Sequence, residues 1–316
     1  MWRRHREMEG LGLTVGCVAQ SDTPGTGIGH NGPMKIDPVT NAFGAVISAV
    51  SLAALSDNEF QAIENAWHRY AVLLFPTQHL SEAEHFAFSR RFGRLERGLQ
   101  RASRPSAARI ANVDANNQLL PSSSLPSRFN VGNSVWHTDS SYKSTAAKAS
   151  LLAAHRVPSE GGETEWADMR AGYDVLDDSM KVWLEDKVAI HSFRYSHAWH
   201  GGLELLTDAD LANLPPVEHP ITQVHPNSGR KILFIGRHAS HIVGQPVAAS
   251  RKLLRRLTDQ SAQPPRTWKH QWSPGDLVIW DNRCVLHRGH AFDPQQARLM
   301  VRTTVAGDAL DNEWAA

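Results

Sequence analysis

His137 and Asp139 stand two residues apart in Val135-Trp136-His137-Thr138-Asp139-Ser140-Ser141-Tyr142, a segment that reads as extended. Side chains at i and i+2 of a strand point to one face, so an imidazole nitrogen and a carboxylate oxygen there can converge on one point. Such a pair supplies two of the three protein ligands of a mononuclear iron(II) site, in which two histidines and a carboxylate fill one face and leave three positions open. The third ligand must come from elsewhere. Taken alone, the triplet also fits a buried histidine beside a turn carboxylate, because composition yields about one His-x-Asp in a chain of this kind.

His287 is the third candidate. It follows an apolar strand expected over Asp276–Trp280 and a polar turn, Asp281-Asn282-Arg283, in which Asp281 is expected to tie the backbone. Arg298 and Arg302 come next, on a strand expected over Leu299–Val305, and their even spacing puts both guanidiniums on one side. Two arginines aimed into a β-core are costly without anions to meet them, and a bound dicarboxylate would supply such anions. Singly, His287 also reads as a satisfied core histidine, Thr164 as an ordinary strand residue and Arg302 as part of a barrel rim. Cys284 reads as a small buried residue rather than a nucleophile.

The elements that must hold these residues follow from pattern. Ser56-Asp57-Asn58-Glu59 is a capping box, and Phe60, Ile63, Trp67 and Tyr70 follow at helical spacing. Ala71–Phe75 is a short apolar strand stopped by Pro76, and Ser81-Glu82-Ala83-Glu84 opens a second helix expected to end near Gly93. Residues 97–134 turn polar and lose any period, which fits a lid over a site and equally a disordered stretch without function. Further strands are expected over Ala149–His155, Val188–Phe193 and Lys231–Gly236, and a helix over Val247–Asp259. Many strands after two helices imply a mainly β fold, a closed or sandwiched core with helices outside it.

Thr23–Pro33 holds four glycines and two prolines with almost nothing apolar, so residues 1–33 are expected to form a disordered N-terminal extension and 34–316 a single domain. Lys plus Arg number 33 against 32 for Asp plus Glu, which gives no charge excess for nucleic acid or an anionic membrane; a small-molecule partner is the default. Cys17 and Cys284 make no disulfide framework or zinc motif, no apolar run reaches membrane-span length, and no secretory signal follows the basic start. A cytoplasmic protein is expected.

His137-x-Asp139, Gly161-Gly162-Glu163-Thr164-Glu165, Trp280-Asp281-Asn282-Arg283 leading to His287, and Arg298 with Arg302 together resemble the iron(II)/2-oxoglutarate dioxygenases of the taurine and 2,4-dichlorophenoxyacetate group. The likeness runs from about Met34 to about Ala309. It is nearest to the 2,4-dichlorophenoxyacetate enzyme, in Thr164–Arg170, Ser228–Gly236, His238-Ala239-Ser240-His241 and Asp281–Gly289. The resemblance implies a double-stranded β-helix (jelly-roll, cupin-like) barrel. It implies iron bound by His137, Asp139 and His287, with Arg298 and Thr164 on the distal carboxylate of 2-oxoglutarate. Arg302 would touch the proximal carboxylate and the acid end of substrate. Relatives of this kind often associate, so a homo-oligomer is an open expectation.

The chemistry implied consumes O2, converts 2-oxoglutarate to succinate and carbon dioxide, and hydroxylates a small organic acid. Asp139 argues for hydroxylation, since halogenating relatives lack that carboxylate. Hydroxylation beside an ether oxygen would split an aryloxyalkanoate to a phenol and an oxo acid. Substrate contacts are less marked. The taurine enzyme's histidine after Phe-Gly and the phenoxyacetate enzyme's lysine are both absent after Phe92-Gly93, leaving Arg97 or Arg101 as the partner for an acid. Asn133, His225 and His241 match family positions near substrate or in support of it. An alkyl sulfonate or sulfate substrate, or a barrel that binds a small acid without turning it over, are the alternatives.

Overall fold

The computed structural model describes residues 32–97, 107–121, 123–124, 127–128, 131–199 and 202–308. In chain order the strands are β1 (Lys35–Pro38), β2 (Ala45–Ser48), β3 (Val72–Phe75), β4 (Ala108–Ala111), β5 (Ala149–Arg156), β6 (Thr164–Asp168), β7 (Val188–His191) and β8 (Val217–Pro220). They continue as β9 (Thr222–Val224), β10 (Lys231–Leu233), β11 (Ala239–Ile242), β12 (Thr267–His270), β13 (Leu277–Asp281), β14 (Val285–Gly289) and β15 (Leu299–Val305). Seven strands form one sheet in the order β1-β2-β3-β13-β5-β15-β4, and β12-β6-β14 form a second. Only the β2–β3 pair of the large sheet is parallel.

Alternation along the central strands builds two cores. Val72, Leu74, Leu152, Ala154, Val278, Trp280 and Met300 pack inward with Trp166 and Val285 of the second sheet. The intervening residues, Leu73, Phe75, Leu151, Ala153, Leu277 and Ile279, face outward onto the helices α1 (Asp57–Tyr70) and α2 (Glu82–Arg90). Because both faces are covered, β3 and β13 read as unbroken apolar runs rather than as alternating ones. The helix Val247–Ser261 lays Leu254 and Leu257 against Ala167, Leu233 and Leu286 on the far side. Two facing sheets with helices outside them make a jelly roll, as the strand pattern and the resemblance imply.

Both capping boxes form, with Glu59 and Glu84 reaching back to Ser56 and Ser81. Such a cap stabilises a helix by about 1 kcal/mol. Several expected boundaries shift, three of them for a local reason. The second helix stops at Arg90, where Arg91, Phe92 and Gly93 tighten into bonds to carbonyls three residues back. The strand over Val188–Phe193 ends at His191, because the Ser192 hydroxyl accepts from Tyr195 N and starts the helix Phe193–Trp199. The strand from Lys231 ends at Leu233, short of Gly236 with its φ of +123°. Expectations for residues 1–31 lie outside the described residues. Among the described residues no helix is long and apolar enough to cross a membrane.

His191 is fully buried, stacks on Phe234 at 5.4 Å and has no hydrogen bond on either ring nitrogen. Burial, and secondarily His219, pull its pKa down to about 3. The unfolded chain therefore takes up this proton first, and stability present above pH 6.5 is lost as pH falls toward 3. His191→Phe is expected to shrink the stability difference between pH 7 and pH 5 by up to about 2 kcal/mol. Urea melts at the two pH values read this directly, and an unchanged difference would exonerate His191.

Candidate active site

His137 and His287 are tied across strands by their main chains: His137 N donates to His287 O at 3.0 Å and His287 N to His137 O at 2.8 Å. This pairing sets the two ring centroids 4.1 Å apart. The Val135 carbonyl lies 2.7 Å from His137 Nδ1 and accepts its proton, which leaves Nε2 as the ligating nitrogen. Asp139 departs from the extended geometry expected of it. It lies in a turn followed by Ser140 at φ +56°. The turn is pinned to Asn282, whose carbonyl accepts from Thr138 Oγ1 at 2.7 Å and whose Oδ1 accepts from Asp139 N at 3.3 Å.

Both oxygens of Asp139 are held. Arg302 Nη1 donates to Oδ1 and Ser150 Oγ to Oδ2, each at 2.6 Å, and His287 Nε2 is 3.8 Å from Oδ2. One ligand-capable atom from each of His137, Asp139 and His287 lies within 4.8 Å of the others, and all three residues are buried. Burial holds His137 well below the usual histidine range and His287 at about 4, the latter against the pull of Asp139. Burial works to raise Asp139, but Arg302, His287, His137 and Ser150 outweigh it and keep the carboxyl well below its ordinary value. Two neutral imidazoles and one carboxylate need shed no proton to take a divalent cation. The donor set fits iron(II).

Arg298 enters just before β15 and is 8% exposed. Its Nη2 donates to Gly162 O at 3.1 Å, its Nε has no partner, and no carboxylate among the described residues pairs with it. Burial lowers its pKa to about 10, so it remains a cation at neutral pH. Gly162, at φ +70°, makes room for it, since a Cβ there would stand 3.2 Å from Arg298 Nε. Thr164 is buried at the start of β6, where its hydroxyl accepts from Trp272 Nε1 at 3.0 Å and keeps its own proton to donate. A cleft of about 600 Å³ opens beside Arg298, lined by Leu119, Val131, Asn133, Gly289 and Phe292 among others. A larger groove, about 1060 Å³, runs along the Val247–Ser261 helix and reaches none of these groups.

The remaining residues named from sequence are not gathered here. Arg97 is exposed, and Arg101 lies outside the described residues. His225 follows the supporting alternative rather than the contact: its Nδ1 meets Ser228 Oγ at 2.9 Å and its Nε2 meets Asp281 Oδ2 at 3.0 Å, so neither nitrogen is left for a substrate. It braces Asp281, which also takes Arg283 through Nε at 2.8 Å and Nη2 at 2.6 Å and so ties the turn before β14. His241 is likewise set apart, half-buried on β11 with Nδ1 on Ser240 Oγ at 2.8 Å. Ser150 and Arg237 were missed. A lone hydroxyl at an inward position of the otherwise apolar β5 run was the signal for Ser150.

A cation-ready triad inside a jelly roll is the arrangement of non-haem iron dioxygenases that use 2-oxoglutarate, and this chain is one of them. Residues 35–304 match the taurine catabolism dioxygenase TauD, TfdA family, and the chain belongs to that family. It is 41% identical over 280 residues to the (S)-phenoxypropionate/alpha-ketoglutarate-dioxygenase of Sphingobium herbicidovorans, covering 86% of this chain and 95% of that one. It is 41% identical over 271 residues to the alpha-ketoglutarate-dependent 2,4-dichlorophenoxyacetate dioxygenase of a Burkholderia species, covering 84% and 91%. The crystal structure of AAD-2 in complex with Mn(II) and N-oxalylglycine superposes with a TM-score of 0.82 at 36% identity, covering 89% of this chain and 99% of that one.

Proposed function

We propose that this dioxygenase hydroxylates an aryloxyalkanoate at the carbon beside its ether oxygen, and that the resulting hemiacetal collapses to a phenol and an oxo acid. His137, Asp139 and His287 hold the iron, and Arg298 with Thr164 receives the distal carboxylate of 2-oxoglutarate. The observation that carries the reading is the buried Arg298 guanidinium, which among the described residues has a neutral carbonyl as its acceptor and no carboxylate. A planar fork of this kind suits a carboxylate and is costly to bury without one. Iron and 2-oxoglutarate, once bound, supply the oxidising chemistry, with succinate and carbon dioxide as co-products. The chain's own part is to keep both imidazoles unprotonated and hold the Asp139 carboxylate through Ser150 and Arg302. Apolar side chains of Leu119, Val131 and Phe292 line the cleft and suit an aryl ring. The substrate class is supported by the two relatives named for phenoxypropionate and 2,4-dichlorophenoxyacetate.

The test is succinate and phenol release by the iron(II)-loaded protein with 2-oxoglutarate and oxygen, comparing 2,4-dichlorophenoxyacetate, a phenoxypropionate, taurine, an alkyl sulfate and no substrate. Phenol equal to succinate in an aryloxyalkanoate tube is expected. Equal succinate in every tube without phenol would reject this substrate class, and failure to bind either iron or 2-oxoglutarate would sink the reading as a whole.

A further inference from the structure

The interior arginines fall into two groups. Arg170 is met by Asp168 at 2.8 Å, Arg283 by Asp281 and Arg302 by Asp139 at 2.6 Å, so each of these cations has its counter-charge within the protein. Arg298 and Arg237 have none among the described residues. The proposed reaction brings two organic acids to the site, and Arg298 is placed for one of them. Arg237 remains for the other.

Its position suits that role. Arg237 N donates to the Trp136 carbonyl at 2.9 Å, which pins the residue beside His137. Its Nε and Nη1 are buried and make no hydrogen bond. The guanidinium lies against Gly132, where an added Cβ would stand 2.1 Å from Nη1. Val131, Asn133 and Ser134, on either side of Gly132, line the cleft, so the guanidinium lies against the segment that forms one of its walls. Among the ionisable groups around it, Tyr142 and Asp139 favour its charge and Arg302 opposes it. Tyr142, 4.9 Å from the His238 ring and 4.5 Å from Phe193, belongs to an aromatic cluster that adjoins His137 through His238 at 6.4 Å. A buried guanidinium fork with unused N–H groups recognises a carboxylate better than it does a neutral group.

We infer that Arg237 binds the carboxylate of the substrate, and that Gly132 is the residue whose missing side chain lets it do so. This rests on the aryloxyalkanoate reading above. Arg97 is exposed to solvent, and Arg302 gives Nη1 to Asp139, which leaves its buried Nε as a single unpaired donor rather than an open fork.

The experiment compares wild type, Arg237→Gln, Arg237→Lys and Gly132→Ala, each loaded with iron(II). It measures KM for 2,4-dichlorophenoxyacetate by phenol release and the 2-oxoglutarate dissociation constant anaerobically. Arg237→Gln is expected to raise KM about 100-fold while leaving 2-oxoglutarate affinity within about twofold. Lysine restores part of the loss by keeping charge without the fork, and Gly132→Ala raises KM by displacing the untouched arginine. A KM that moves less than about threefold in Arg237→Gln, or a 2-oxoglutarate affinity that falls in step with KM, would overturn the assignment. A wild-type protein that turns over no aryloxyalkanoate would instead overturn the substrate reading and this inference with it.

Discussion

Alanine at His287 is expected to leave a folded protein that no longer holds iron and no longer turns over. The residue contributes one of the three convergent donors, while its main chain, not its ring, carries the pairing with His137. Its Nδ1 makes no hydrogen bond, so truncation strands no protein partner there. Loss of a ligand should weaken metal binding by more than about 100-fold, since loss of an outer-shell partner alone costs 10- to 100-fold. Anaerobic iron titration followed by succinate assay reads the effect, with circular dichroism to check the fold. Retention of one tight iron per chain would remove His287 from the proposed ligand set.

Arg298→Gln carries the second large effect, and with an opposite sign for stability. On the proposed assignment it removes a fork that meets the distal carboxylate of 2-oxoglutarate, so affinity for that acid should fall by about 100-fold or more. Without the co-substrate, however, Arg298 is a buried cation whose burial is offset by one hydrogen bond to Gly162 O. Replacing it by a neutral group of similar length should leave the unliganded protein as stable or more so. Equilibrium dialysis with 2-oxoglutarate and a thermal melt without it measure the two halves. Unchanged affinity, or a melt many degrees lower, would show that Arg298 serves the fold instead.

The residues legible in sequence were those whose signal is local. Ser56 and Ser81 announce their helices because a capping box lies within four residues, and β13 announces itself as an apolar run because both its faces are covered. The even spacing of Arg298 and Arg302 holds because β15 stays regular on its own side; the irregularity beside it is absorbed by β5, where Leu299 pairs with Arg156 and Met300 with Ala154. What could not be read depends on contacts made at long range. The turn at Asp139 exists because Asn282, far along the chain, bonds to its backbone, so the strand reading of His137–Asp139 had the right partners and the wrong backbone. His225 shares the look of a substrate histidine, but its partner Asp281 appears only once β13 is in place. Arg237 was passed over for a similar reason: one arginine in a loop says nothing until the lack of a counter-charge is visible.

The main-chain bonds between His137 and His287 also bear on how this protein competes for its metal. Two donors are fixed by backbone geometry and the third is clamped by Ser150 and Arg302, so the ligand set is assembled during folding and metal capture has little left to organise. Metal should therefore enter and leave without unfolding the chain, and a chelator should yield a native apoprotein. A site open on one side and built before its ion arrives has no means of refusing zinc or copper, which bind such donors more tightly than iron does. Which ion occupies it would be decided by supply, and the active fraction in any preparation would track the metals present when the protein was made.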